Sequence, residues 1–138
     1  MINFNFETEF NLESKNKISS WISEVIIDEG CTEGELNYIF CDDEYLHKIN
    51  VEFLDHDTLT DIISFDYTVG KELHGDVFIS VERVKDNAAD LDVTFEEELH
   101  RVMIHGILHY CGYKDKSEED QRVMRAKEDL YLNKLETT

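Results

Sequence analysis

Apolar residues recur along this chain with two periods, and the switches between them predict its elements. Ile2, Phe4 and Phe6 alternate with asparagines, as in a half-buried strand. Ile18, Trp21, Ile22, Val25 and Ile26 recur at three and four, the stripe of an amphipathic helix over about 12–28 that ends at Gly30. Leu36 to Cys41 is rich in β-formers and reads as a second strand, followed by a short helix capped by Asp42 or Asp43 and carrying Tyr45, Leu46 and Ile49. The polar stretch from Asp55 to Asp61 reads as a loop. It leads into a strand from Ile62 to Tyr67, a turn at Gly70 and Lys71, and a fourth strand from Gly75 to Ser80. Ser80 can cap a helix whose Val81, Val84 and Ala88 face inward. Thr94-x-x-Glu97 is a capping box opening a strongly apolar helix over about 95–111. Ser117-x-x-Asp120 caps a last helix, with Val123, Met124, Leu130, Tyr131 and Leu135 as its stripe. The order β-α-β-α-β-β-α-α-α, without repeat, proline or linker, predicts an α+β fold: a small mixed four-stranded sheet with packed helices, in one domain over 1–138.

Composition narrows the function. With 13 basic against 32 acidic residues the formal charge is −19, which repels polyanions on average and favours solubility, although the field in a cleft is set locally. There is no apolar run long enough to span a bilayer and no signal-peptide pattern at the start, so a cytoplasmic protein without membrane contact is expected. Cys31, Cys41 and Cys111 form no C-x-x-C pair, and an odd count argues against a disulfide framework.

The chemistry concentrates in the stretch from His105 to Asp115. His105 and His109 are four apart on the apolar helix and so share one face, where two imidazoles can reach one metal ion. Gly112 stands where a left-handed residue would stop the helix, and past it Asp115 can return toward the rings. With six histidines a chance i, i+4 pair is expected in roughly one such chain in four; the added glycine and sixth-position ligand lower that to roughly 0.3%. The layout is similar to the metzincin zinc motif H-E-x-x-H-x-x-G-x-x-H, with Gly106 at the place of the glutamate base and Asp115 at that of the third histidine. A zincin-like metal helix with His105, His109 and Asp115 as ligands follows, and a carboxylate binds Zn²⁺ at about the imidazole distance, roughly 2.0–2.2 Å. One Zn²⁺ per chain is expected from the nitrogen-rich donors, which nickel or iron would also fit. A three-ligand site leaves a place for water, whose pKa zinc lowers from 15.7 to about 7.

Gly106 removes the usual base, so the proton-moving group must come from elsewhere. The candidates are Asp61 and Ser64 at the start of the third strand, Asp76 on the fourth, and His56. The first three have plainer readings: Asp61 as a turn cap, Ser64 as strand filler and Asp76 as a turn residue after Gly75. Cys111 would face away from the pair. His100, roughly 140° round the helix from His105, points elsewhere, and His47 and His74 lack a partner at ligand spacing. Glu98, seven before His105, has a reading as a partner that supports the ring, set behind that of a solvated, dipole-favoured first turn.

Three pieces in order, Thr60-Asp61-Ile62-Ile63-Ser64-Phe65, then Gly75 to Ser80, then His105 to Asp115 ahead of an acidic helix, resemble the YbeY family over nearly the whole chain. The most specific piece is H-G-x-L-H-x-x-G-Y, from His105 to Tyr113. The resemblance implies a zinc-dependent, single-strand-specific endoribonuclease of ribosomal RNA maturation, acting at the 16S rRNA 3′ end and in ribosome quality control with small-subunit components as partners. The chain departs from the family pattern at Asp115, where the family has histidine, and at Leu54, where it has a basic residue; the lysine and proline that follow appear as His56 and Leu59. His56 and Thr60 are then the candidate substrate contacts. Two other functions stay open: a zinc peptidase, against which the missing glutamate counts, and a non-catalytic ribosome-assembly factor in which the metal locks the C-terminal helices.

Overall fold

A computed structural model describes residues 1–54 and 60–136. The elements follow the expected order: β1 (Ile2–Phe6), α1 (Lys15–Asp28), β2 (Thr32–Cys41), α2 (Asp43–Leu54), β3 (Ile62–Asp66), β4 (Glu72–Ser80), α3 (Val81–Leu91), α4 (Phe95–Tyr110) and α5 (Glu118–Glu136). The fold is mixed α+β, and its four strands lie in the order β1-β2-β4-β3. β1 and β4 run parallel to β2, while β3 returns antiparallel to β4 as a hairpin whose Gly70 has φ +61°. Parallel neighbours need crossover helices, which α1 and the later elements supply.

Strand alternation sends Leu36, Tyr38, Phe40, Val77 and Ile79 to the face covered by α1 and α4, all of them fully buried. Cys41 and Ile63 go to the other face, where Leu46 of α2 covers them. Gly106 is what lets α4 lie close to the sheet. A methyl group there would stand 3.3 Å from the Ile62 side chain and 3.4 Å from Val77, so the glycine's propensity cost of about 1 kcal/mol is offset by contact.

The caps act as expected. The Thr94 hydroxyl accepts from the Glu97 amide at 3.1 Å, Ser80 from Arg83 at 3.1 Å, Ser117 from Asp120 at 3.0 Å, and the Asp42 carboxylate from Tyr45 at 2.8 Å. Three boundaries differ from expectation. α1 starts at Lys15, not near residue 12, and Leu12 is buried from the segment before it. β2 and β4 begin earlier, at Thr32 and Glu72, because mostly polar residues at their starts still pair across a register shift between Glu33 and Leu36, with Leu73 buried among them. In α5 Val123 and Leu130 are exposed, and the inward stripe is Met124, Glu128, Tyr131 and Leu135. Among the described residues no helix is long and apolar enough to cross a membrane.

Candidate metal centre

α4 ends in a Schellman motif. The Gly112 amide donates to the His109 carbonyl and the Tyr113 amide to the Leu108 carbonyl, both at 3.0 Å, with Gly112 at φ +108°. The reversal is pinned from the side, where the Tyr113 hydroxyl donates to the Glu29 carboxylate at 2.6 Å while Lys127 and Tyr131 of α5 reach the same group. Burial works to raise the Glu29 carboxyl, but these hydrogen bonds and the Lys127 charge outweigh it and hold it below its usual range.

Two residues past that anchor, Asp115 returns to the rings. Its Oδ2 lies 3.3 Å from His105 Nε2 and 3.4 Å from His109 Nε2, and the two ring nitrogens are 2.9 Å apart. Tetrahedral ligands about 2.0–2.1 Å from a zinc ion stand about 3.3 Å from one another. The carboxylate edges match that spacing, and the ring–ring edge is shorter, at hydrogen-bonding distance. The donor set of two imidazoles and a carboxylate thus fits a divalent cation. Side-chain exposure grades outward through 22% for His105, 31% for His109 and 45% for Asp115, leaving the outer side of the triangle open to solvent.

The sequence reading missed the group that aims His105. Glu128 of α5 is 4% exposed and accepts from His105 Nδ1 at 2.6 Å, while its other oxygen accepts from Arg101 at 2.9 Å. The proton is thereby fixed on Nδ1 and the Nε2 lone pair turned toward His109 and Asp115. Burial alone would lower the His105 imidazole; the hydrogen bond and charge of Glu128, aided by Asp115 and Asp61, hold it above its ordinary value instead. The signal was available as a carboxylate in phase with Met124, Tyr131 and Leu135.

Asp61 is half-buried and lines one recess with His105. Burial pushes its carboxyl up, only partly offset by hydrogen bonds and the His105 charge; the contact to Asn87 is long, at 3.4 Å. Ser64 is exposed opposite Val77, on the helix side of the sheet near the Tyr110 hydroxyl. Asp76 is next to Val77 and so points to the other face, where its carboxylate accepts from Asn37 at 3.0 Å in a ladder that continues to Asn3. The structure therefore does not bring Asp76 to the rings, and the turn-residue alternative gives way to this ladder. The Thr60 hydroxyl donates to the Ile62 carbonyl at 3.3 Å, and His56 lies outside the described residues.

Of the other histidines, His100 packs edge-on against Trp21 at 6.1 Å and His74 accepts from the Glu35 amide at 3.0 Å. Glu98 corrects the expectation of a solvated first turn. It is 7% exposed, because α5 lies along α4, and burial with the Asp61 charge raises its carboxyl against the pull of Arg101 and Arg125.

A family model for Endoribonuclease YbeY matches residues 2–136. The chain belongs to the YbeY family. It is 70% identical over 129 residues to the Endoribonuclease YbeY of Flavobacterium johnsoniae, covering 94% of this chain and 93% of that one. To the protein of the same name from Flavobacterium psychrophilum it is 60% identical over 132 residues, 96% of this chain and 94% of that one. Its fold is similar to the solution structure of a Thermotoga maritima protein, with TM-score 0.72 and 27% identity over 98% of this chain and 89% of the other. The matched range, residues 2–136, takes in the third strand, the hairpin and the histidine helix together.

Proposed function

We propose that this chain is a metal-dependent endoribonuclease that cuts single-stranded RNA in the cytoplasm, during ribosomal RNA maturation that includes the 16S rRNA 3′ end and in ribosome quality control with small-subunit components. The observation that carries the reading is the convergence of His105, His109 and Asp115 donors in a chain whose relatives are named endoribonucleases. These three residues would hold one Zn²⁺, in a zincin-like arrangement. The ion would polarise a phosphoryl oxygen and offset charge developing in the transition state.

The chain's own side chains do the rest. Glu128, braced by Arg101, keeps His105 in the tautomer that leaves Nε2 free. Tyr110 fixes the helix end to the hairpin, its hydroxyl donating to the Phe65 carbonyl at 3.0 Å. Asp61, which shares a recess with His105, would take the proton of the attacking water or 2′-hydroxyl, whereas Asp76 is held on the far face. Thr60, one residue before Asp61, would border the substrate.

Incubation with single-stranded RNA, structured RNA and casein, with and without chelator, tests the reading. Chelator-sensitive cutting of single-stranded RNA, lost in His109→Ala together with bound zinc, is expected. Cutting of casein alone would favour a peptidase. Zinc binding that stabilises the fold without any cutting would favour the assembly role.

A further inference from the structure

Resting on the nuclease reading, a chain of net charge −19 must supply cations where the phosphodiester lies. Arg101, the nearest by sequence to the rings, is already engaged: it donates to Glu128 at 2.9 Å and to Asp129 at 2.6 Å. The other arginines of this region come from α5. A recess of ≈ 470 Å³ has His105 and Asp115 in its wall together with Arg122, Met124 and Arg125. A neighbouring recess of ≈ 270 Å³ is lined by Asp61, His105 and again Arg125. Arg125 therefore borders both the metal donors and the candidate base.

Its guanidinium is uncommitted. Arg125 is exposed, and among the described residues it makes no ion pair or hydrogen bond, Glu98 feeling its charge only through space. Arg122, three residues earlier and so on the same side of the helix, pairs among the described residues only with Glu119, and both side chains are largely exposed at 74% and 66%. Such a pair exchanges readily for a better anion. Lys114 and Lys116, both exposed, flank Asp115 and add positive charge to the same rim.

We propose that Arg125, seconded by Arg122, is the phosphate-binding residue of this site, gripping a backbone phosphate of single-stranded RNA beside the scissile bond. A guanidinium fork matches two phosphate oxygens, and a contact to the backbone carries no base preference.

The test measures binding of metal-loaded protein to a fluorescein-labelled, 2′-O-methylated single-stranded oligoribonucleotide by anisotropy across a salt series, alongside steady-state cleavage of the unmodified strand. Each phosphate contact to a single strand adds about 0.7 to the slope of log K against log salt. Arg125→Gln should flatten that slope by about 0.7, weaken binding about ten-fold at low salt, and raise KM more than it lowers kcat. Arg122→Gln added to it should remove about as much slope again. Arg125→Lys, which keeps the charge and guards against a folding defect, should keep the slope. An unchanged slope and KM in folded Arg125→Gln, with the unaltered protein still cutting RNA, overturns the proposal and spares the nuclease reading. Loss in His56→Gln but not in Arg125→Gln overturns it by moving the contact to the segment before β3. An unaltered protein that neither binds nor cuts RNA overturns both.

Discussion

Replacing Glu128 by glutamine should cost metal affinity out of proportion to the single atom changed. The carboxylate has two committed oxygens, one accepting from His105 Nδ1 at 2.6 Å and the other from Arg101 at 2.9 Å, and its side chain is 6% exposed. An amide keeps one acceptor and turns the other oxygen into a donor, which must face either Arg101 or His105 with the wrong polarity. Whichever way it turns, the ring loses a charged acceptor or the arginine a counter-charge, and His105 is no longer held with Nε2 bare. Removal of such a partner from a metal-bound histidine typically costs 10–100-fold in affinity, about 1.4–2.7 kcal/mol. Zinc competition against a chromophoric chelator measures it, with thermal melting of the metal-free protein read beside it. Asp129→Asn is the control: it touches the same Arg101 from a 59% exposed position and leaves His105 alone, so its zinc affinity should stay at the unaltered value. Unaltered zinc affinity in a folded Glu128→Gln variant, or an equal loss in Asp129→Asn, would refute the argument.

Other consequences are open to direct measurement. Asp115→Asn should sharply reduce bound zinc in metal analysis while Asp115→His preserves it; the reverse order would place the third donor elsewhere. Gly75→Ala should lower stability by about 1–3 kcal/mol in urea melts, because the added methyl would stand 2.6 Å from the Phe65 carbonyl and collide with the Tyr110 ring; an unchanged midpoint would mean the hairpin yields freely. Glu29 should contribute to acid sensitivity. Its folded pKa is depressed below the ordinary 4.5, so its stabilisation is complete above that value and lost as pH falls through the folded one. Glu29→Gln should therefore flatten the acid limb of the stability–pH curve, and a parallel downward shift at every pH would show that shape, not charge, is what Glu29 supplies.

The histidine helix was legible because each of its signals is local. A capping threonine, an apolar run, two histidines one turn apart and a stop glycine all lie within the residues that act on one another. What the sequence hid is what depends on neighbours far along the chain. Glu128 is 23 residues from the ring it aims, and an apolar reading of α5 admits Val123 and Leu130 while passing over a carboxylate in the buried phase. Asp76 follows a glycine and looks like a turn residue until β1 and β2 come alongside to make the amide ladder through Asn3 and Asn37. Glu98 looks solvated until α5 is laid over it. In each case a polar side chain was misplaced because its partner arrives only with tertiary packing.

Three carboxylates near the rings, Glu128, Asp61 and Glu98, explain how so acidic a chain can present an anion-receptive surface at one place. Glu128 is buried and answered by Arg101 and His105, so its charge is neutralised where it stands. Asp61 and Glu98 are drawn inward, and burial pushes both carboxyls upward. These acids near the rings are thus paired or withdrawn from the surface, while the cations at the rim, Lys114, Lys116, Arg122 and Arg125, stay in the solvent. Most of the 32 acidic groups act on a distant phosphate only through water and salt, which at physiological ionic strength screen beyond about 8 Å. Net charge then governs how slowly the protein meets RNA in dilute salt, and the local arrangement governs whether the phosphate, once there, is held. Raising ionic strength should therefore relieve the long-range repulsion before it weakens the contact at Arg125, giving an association rate that climbs with added salt while the dissociation rate climbs as well.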